Sequence, residues 1–247
     1  MSKLLPPPEP ATQPTSHSTS RRSFLRYTGA SMAVGGLLLA GCDDDNENDN
    51  RIDVGSGDNG VLNYAYALEQ LETAFYAAVK GGAYYAGASA AEKQIFDDLS
   101  LHEQAHTNFL KAALSTNAIK QLEADFSTIN FADKTSVLTA ARSFEDLGVA
   151  AYNGAGRFIT SAVYLVAAGK IVSVEARHAA LIRDLISYNK FVDNDVVNLF
   201  IPTDPSVPGG PGNEGTGLER SKRPAEVLNT ANQFLKEGSK LSANSLV

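Results

Sequence analysis

The chain of 247 residues contains one cysteine, Cys42, and no tryptophan. A lone cysteine excludes an internal disulfide and any paired-cysteine metal clip. Methionine is almost as scarce, since Met1 and Met32 are the two present. Long apolar runs are missing too: the stretch Tyr27–Ala40 is too short and too glycine-rich to span a bilayer permanently. No convincing alternation of apolar and polar residues marks a strand. Positive charge is in deficit. Beyond residue 41 there are 17 basic and 27 acidic side chains, a net charge of −10, which argues against nucleic acid as a partner. No basic cluster supports broad docking on an anionic membrane surface.

What is present begins with an ordered set of signals. SRRSFLR, Ser20–Arg26, resembles the twin-arginine export signal, with Arg21-Arg22 followed by Phe24, Leu25 and Arg26. The apolar run behind it ends in LAGC, Leu39–Cys42, which resembles the lipobox of bacterial lipoproteins. These resemblances imply a signal peptide over residues 1–41, lipidation of Cys42, and an exported protein of the cell envelope or periplasm held to the membrane by its N-terminal lipid. CDDDNENDN and the Gly/Ser/Asp residues after it predict an acidic flexible tether over 42–60. The remaining chain is long enough for one domain with a substantial core.

Within that domain the apolar spacing is helical. It predicts a first helix over Val61–Lys80, broken by GGAYYAGA. SAAE, Ser89–Glu92, is a capping box that opens a second helix reaching Leu114. The connection 115–132 carries Ile119, Leu122, Phe126, Ile129 and Phe131 and is expected to pack. Asp133 caps a third helix ending near Asn153. A fourth region covers Thr160–Ser187, with Gly169 as a candidate break. An irregular C-terminal extension, 191–247, passes through the Gly/Pro loop Pro202–Gly217 and ends in a short helix, Ala225–Glu237. The expected class is all-α, a four-helix bundle over 61–190 with its extension packed on it.

Only three histidines lie beyond residue 41: His102, His106 and His178. Two of them close a Glu-x-x-His pattern, Glu103/His106 on the second helix and Glu175/His178 on the fourth. Positions three apart share a helix face, so each pair can grip one object. The first helix offers Glu69 and Glu72, and the third offers Glu145. Tyr76 lies seven residues after Glu69, and Tyr152 seven after Glu145, two turns on and therefore on the same face. The chain thus repeats Glu…Tyr…Glu-x-x-His. This symmetry favours Glu69 over Glu72, its alternative one turn away. Carboxylates with imidazoles suit iron or manganese and leave coordination positions open. Four carboxylates in a core without a cation would be strongly unfavourable.

The pattern resembles the ferritin-like di-metal carboxylate proteins. LEQLETAFY and VEARHAALIR look like the exported ferritin-like domains of bacteria sometimes labelled desiccation-related. The resemblance implies two Fe or Mn ions held by Glu69, Glu103, His106, Glu145, Glu175 and His178. It also implies redox chemistry with a small oxidant, peroxide or O2, or iron oxidation. The alternative it allows is a structural or interaction module in stress or desiccation tolerance without catalysis. A homodimer is compatible with either. The missing cysteine pairs set it apart from rubrerythrins, and the lack of any methionine beyond residue 41 from haem-ligating bacterioferritins. Tyr76 and Tyr152 are expected beside the ligands, to hydrogen-bond carboxylates or act in redox steps. His102 is expected at the surface or just outside the ligand set. Tyr84 and Tyr85 read as loop packing, Asp146 and Asp184 as solvated charges, and Arg177 as a salt-bridge partner pointing away from the metals.

Overall fold

Three of the four long helices begin where a side chain takes an orphaned N–H of the first turn. The computed structural model describes residues 50–198 and 216–246. Helix α1 spans Gly57–Gly81, a short α2 Ala83–Gly87, α3 Ala90–Leu114, α4 Lys134–Ala155, α5 Ala162–Ile186 and α6 Pro224–Ala231. Ser89 and Glu92 form the expected capping box of α3, Asp133 accepts from Ser136 N at 2.7 Å, and Ser161 caps α5. The expected signal peptide, the expected lipidation site Cys42 and most of the loop Pro202–Gly217 lie outside the described residues. Among the described residues no helix is long and apolar enough to cross a membrane.

α1 and α3 form one antiparallel pair, and α4 and α5 another. The first pair is pinned along its length by Asn63 to the Asn117 carbonyl, by Thr73 to Thr107, and by Lys80 to Asp97. α1 is the central helix, with every residue from Gly60 to Glu72 buried. Two side-chain amides seven residues apart explain how the connection after α3 lies across it. Asn63 accepts from Ile119 N at 2.9 Å, and Gln70 accepts from Leu122 N at 2.9 Å. The connection therefore packs, as its apolar residues predict. Phe126 and Phe131 stand against Phe75, whose ring centroid also lies 4.8 Å from that of Phe144. Burying one such ring contributes about 1.5–3 kcal/mol.

Several boundaries differ from expectation. α1 starts at Gly57, not Val61, and Ile52–Asp53 forms strand β1 beside β2, Leu241–Ser242, in parallel register. Residues 52–60 thus belong to the fold rather than to a tether. Gly169 does not interrupt α5, because a helical glycine penalty of about 1 kcal/mol is small against packing along the whole helix. The last helix ends at Ala231 with one 3-10 turn, Asn232–Phe234, since Leu235 leaves to pair with Ala124. Tyr84 and Tyr85 sit on α2 and pack as expected, donating to Glu92 and Asp97.

The C-terminal segment is built into the core. Val227, Leu228 and Ala231 of α6, with Leu235, Leu241 and Leu246, join the cluster that contains Phe75 and Phe144. Its approach depends on Gly154 in α4, where a Cβ would meet the Lys222 carbonyl oxygen at 1.8 Å. Asp146, expected to be a solvated charge, instead receives Arg183 in a two-pronged bond of 2.9 and 2.6 Å. Arg183 is buried and also reaches Asp195 at 2.9 Å. Sequence spacing could not anticipate this pair, whose members lie 37 residues apart on different helices. Asp184 accepts from Asn189 N at the end of α5. Arg177 is exposed, and no ion pair of it is found among the described residues, so the expected salt bridge is absent there.

Candidate metal centre

The four long helices bring their glutamates to one level. Glu69 of α1, Glu103 of α3, Glu145 of α4 and Glu175 of α5 are each completely buried. His106 and His178 stand one turn beyond Glu103 and Glu175 and complete the group. The geometry divides into two nests. In the first, His106 Nδ1 lies 2.8 Å from Glu175 Oε1, 3.3 Å from Glu69 Oε2 and 3.5 Å from Glu103 Oε2. In the second, His178 Nδ1 lies 2.9 Å from Glu103 Oε1, 3.4 Å from Glu145 Oε2 and 3.6 Å from Glu175 Oε2. Glu103 and Glu175 each give one oxygen to each nest, whereas Glu69 and Glu145 serve one nest apiece.

These separations belong to groups gathered around a common centre. Glu69 Oε2, both oxygens of Glu103 and Glu175, Glu145 Oε2 and both Nδ1 atoms are buried without a hydrogen-bond partner. Buried polar atoms are otherwise satisfied almost without exception. Eight such atoms converging within ligand distance mark a place that can hold a metal ion. A cation supplies the electron-pair acceptor that each of these atoms lacks.

The electrostatics agree. Burial, reinforced by the Glu175 and Glu103 charges, holds the Glu69 carboxyl well above its usual range. Burial likewise pushes Glu145 up to about 8, against the lowering effect of His178. Burial disfavours charge on His106 and His178, but the surrounding carboxylates outweigh it and push each imidazole up to about 12. Glu103 goes the other way: burial would raise it, but the His106 and His178 imidazoles close by outweigh that and bring it down to about 2. Without a cation these five groups can share protons; with one, carboxylates and neutral imidazoles become its ligands.

The tyrosines occupy a different relation from the one their spacing suggests. Each shares a helix face with its own glutamate yet bonds the glutamate of the other half. Tyr152 donates to Glu69 Oε1 at 2.6 Å, and Tyr76 donates to Glu145 Oε1. The bonded oxygen is in each case the one turned away from the nest. Glu72 is buried but joins neither nest. It lies against α4, where a Cβ on Gly148 would stand 3.0 Å from Glu72 Oε1. Gly148 is three residues after Glu145, as Glu72 is three after Glu69, so this glycine makes room for the extra carboxylate. Burial and the four site glutamates hold Glu72 well above the usual carboxyl range.

His102 is exposed, and its Nδ1 lies 2.9 Å from His178 Nε2 with the two rings nearly parallel. Its place four residues before His106 puts it about 40° from the ligand face, which is the sequence signal for an outer position. Comparison with curated proteins gives no match. Residues 57–188 match the profile of the ferritin-like domain, more than half of the chain and all four long helices. By its helices, by the level at which they place glutamate and histidine, and by this match, the chain belongs to the ferritin-like domain family.

Proposed function

We propose that this is an envelope-anchored ferritin-like protein holding two iron or manganese ions for redox chemistry with peroxide or O2. The observation that carries the reading is the pair of nests sharing Glu103 and Glu175, each with its own histidine and its own terminal glutamate. Six side chains would hold two ions: Glu69 and His106 at one, Glu145 and His178 at the other, with Glu103 and Glu175 between them. Such a centre supplies Lewis acidity, redox change and open positions for a small oxidant. The chain's own residues do the rest. Tyr152 and Tyr76 hold the outward carboxylate oxygens, and the buried apolar residues keep the site dry enough for charge to be felt strongly. Oxidation of Fe(II) for delivery elsewhere uses the same residues and differs in the acceptor.

Anchoring rests on SRRSFLR and LAGC, with Cys42 as the lipidated residue. A twin-arginine route carries folded proteins, so metal would be loaded before export. Metal analysis of the purified chain, after aerobic and anaerobic loading with Fe(II) or Mn(II), tests the centre. Two ions per chain are expected, and fewer than about one would overturn the reading. A peroxide-consumption assay on the loaded protein separates redox function from a scaffold role in stress tolerance. Loss of turnover in Glu103→Ala and His178→Ala supports the former. Unchanged cellular function in the same variants supports the latter.

A further inference from the structure

The two halves of the centre repeat one another in ligands but not in what stands behind them. His178 and His106 present Nδ1 to their nests, which leaves Nε2 of each as the outward atom. Behind His178 stands His102, four residues before His106 in α3. The matching position four residues before His178 is Val174 in α5, which lines the same groove as His106. One imidazole therefore meets a hydrogen-bonding ring at its Nε2, whereas the matching residue of the other half is apolar and offers none. Their exposures follow: the His178 side chain is 5% exposed and that of His106 is 14%.

A second observation concerns the seam between α3 and α5. These helices pack less closely on each other than α1 on α3 or α4 on α5. At the His106 level the seam opens as a groove of about 650 Å³, lined by His106, Phe109, Val163, Val166, Ile171 and Val174 among others. At the His178 level the seam is bridged by the His102–His178 pair, with ring centroids 5.1 Å apart.

We propose that His102 is a positioning residue that makes the two metal positions unequal. It fixes the ring of His178 and closes that side, while the His106 side, opening on the groove, is where a divalent cation enters and exchanges. The inference rests on the di-metal reading above. An imidazole that ligates through Nδ1 carries its proton on Nε2 and donates it to His102 Nδ1. The His102 ring then keeps its own proton on Nε2, at the surface. Partners of this kind hold a ligand ring to one tautomer and orientation, and their loss typically lowers metal affinity about 10–100-fold. His106 has no such partner from Val174, whose side chain offers no acceptor.

The test is a titration of the metal-free full chain with Mn(II), counting the free ion by its paramagnetic resonance, and with Co(II), reading the visible bands. Wild type should bind two ions with dissociation constants at least about tenfold apart. His102→Ala should weaken the tighter step roughly tenfold or more, shift its Co(II) bands and leave the weaker step within about twofold. His102→Gln, which keeps an acceptor, should restore most of the difference. Two wild-type steps of equal affinity would overturn the inference while leaving the di-metal centre standing. So would a His102→Ala variant that binds both ions as wild type does, or a His102→Gln variant that fails to rescue. A wild-type chain that binds fewer than about one ion overturns the di-metal reading, and this inference with it.

Discussion

At the scale of single residues, the centre is governed by which oxygen of each carboxylate is already engaged. Tyr152 and Tyr76 occupy the far oxygens of Glu69 and Glu145 and so turn the near ones inward. Glu72 has no such arrangement. It is a fifth buried carboxyl facing the space left by Gly148, and its folded-state pKa is raised. At neutral pH the unfolded chain carries this group ionised while the fold favours the neutral acid, so it subtracts stability as pH rises. Glu72→Gln keeps the shape and removes the titration. The variant is expected to raise the melting temperature of the metal-free protein by a few degrees at pH 7.5, with little change at pH 5, and to bind the same number of ions. Loss of an ion in metal analysis of Glu72→Gln would show that Glu72 is a ligand after all.

At the scale of elements, each helix pair is joined by a polar tie that its own periodicity does not reveal. In the α1–α3 pair one such tie is Thr73 to Thr107, and in the α4–α5 pair it is Arg183 to Asp146. Breaking a buried ion pair by removing one partner leaves the other charge stranded, which is worth about 3–5 kcal/mol when both are fully buried. Asp146 is 18% exposed and Asp195 still reaches Arg183, so the loss here is smaller. Asp146→Ala is expected to lower unfolding free energy by roughly 2–3 kcal/mol in urea denaturation. A change below about 0.5 kcal/mol would mean that the pair adds nothing beyond solvated charge. The helices themselves were legible: Ser89 with Glu92 and Asp133 are starting signals whose bonds close within three residues. The early start of α1 was not. Its first turn is held by long-range contacts, Asp58 accepting from Thr160 and Ser161, which no local pattern records.

At the scale of the whole molecule, the centre sets how stability follows pH. Glu145, raised to about 8 from near 4.5, keeps its proton in the fold after the unfolded chain has released it. His106 and His178, raised to about 12 from 6.5, act in the same direction above pH 6.5. Glu103, lowered to about 2, contributes a constant amount above pH 4.5 and loses it only in strong acid. Between pH 5 and 8 the metal-free protein should therefore lose stability as pH rises, with a melting temperature lower by roughly 5 °C or more at the upper end. Bound metal displaces those protons, so its stabilisation should grow over the same range. Thermal melts with chelator and with Mn(II) at both pH values measure this. A metal-free melting temperature that climbs toward pH 8 would contradict the account. The C-terminal segment takes part in the same unit, since Leu241 pairs with Ile52 and Lys222 closes on Gly154.

The sequence alone determined the helices, their order, and the two Glu-x-x-His pairs, because a helix has a fixed pitch and residues three apart must share a face. It also narrowed the central glutamates to Glu69, Glu72, Glu103, Glu145 and Glu175. Only the tertiary structure decided how these groups meet. Glu69 and Glu72 are one turn apart, and the rotation of α1 against α3 and α4 turns the first into a nest and the second toward Gly148. The same rotation sends each tyrosine to the opposite half's glutamate, and the packing of α3 against α5 sets His102 behind His178. Such choices depend on the angle between packed helices, which comes from the sum of many apolar contacts across the core and is written in no single stretch of chain.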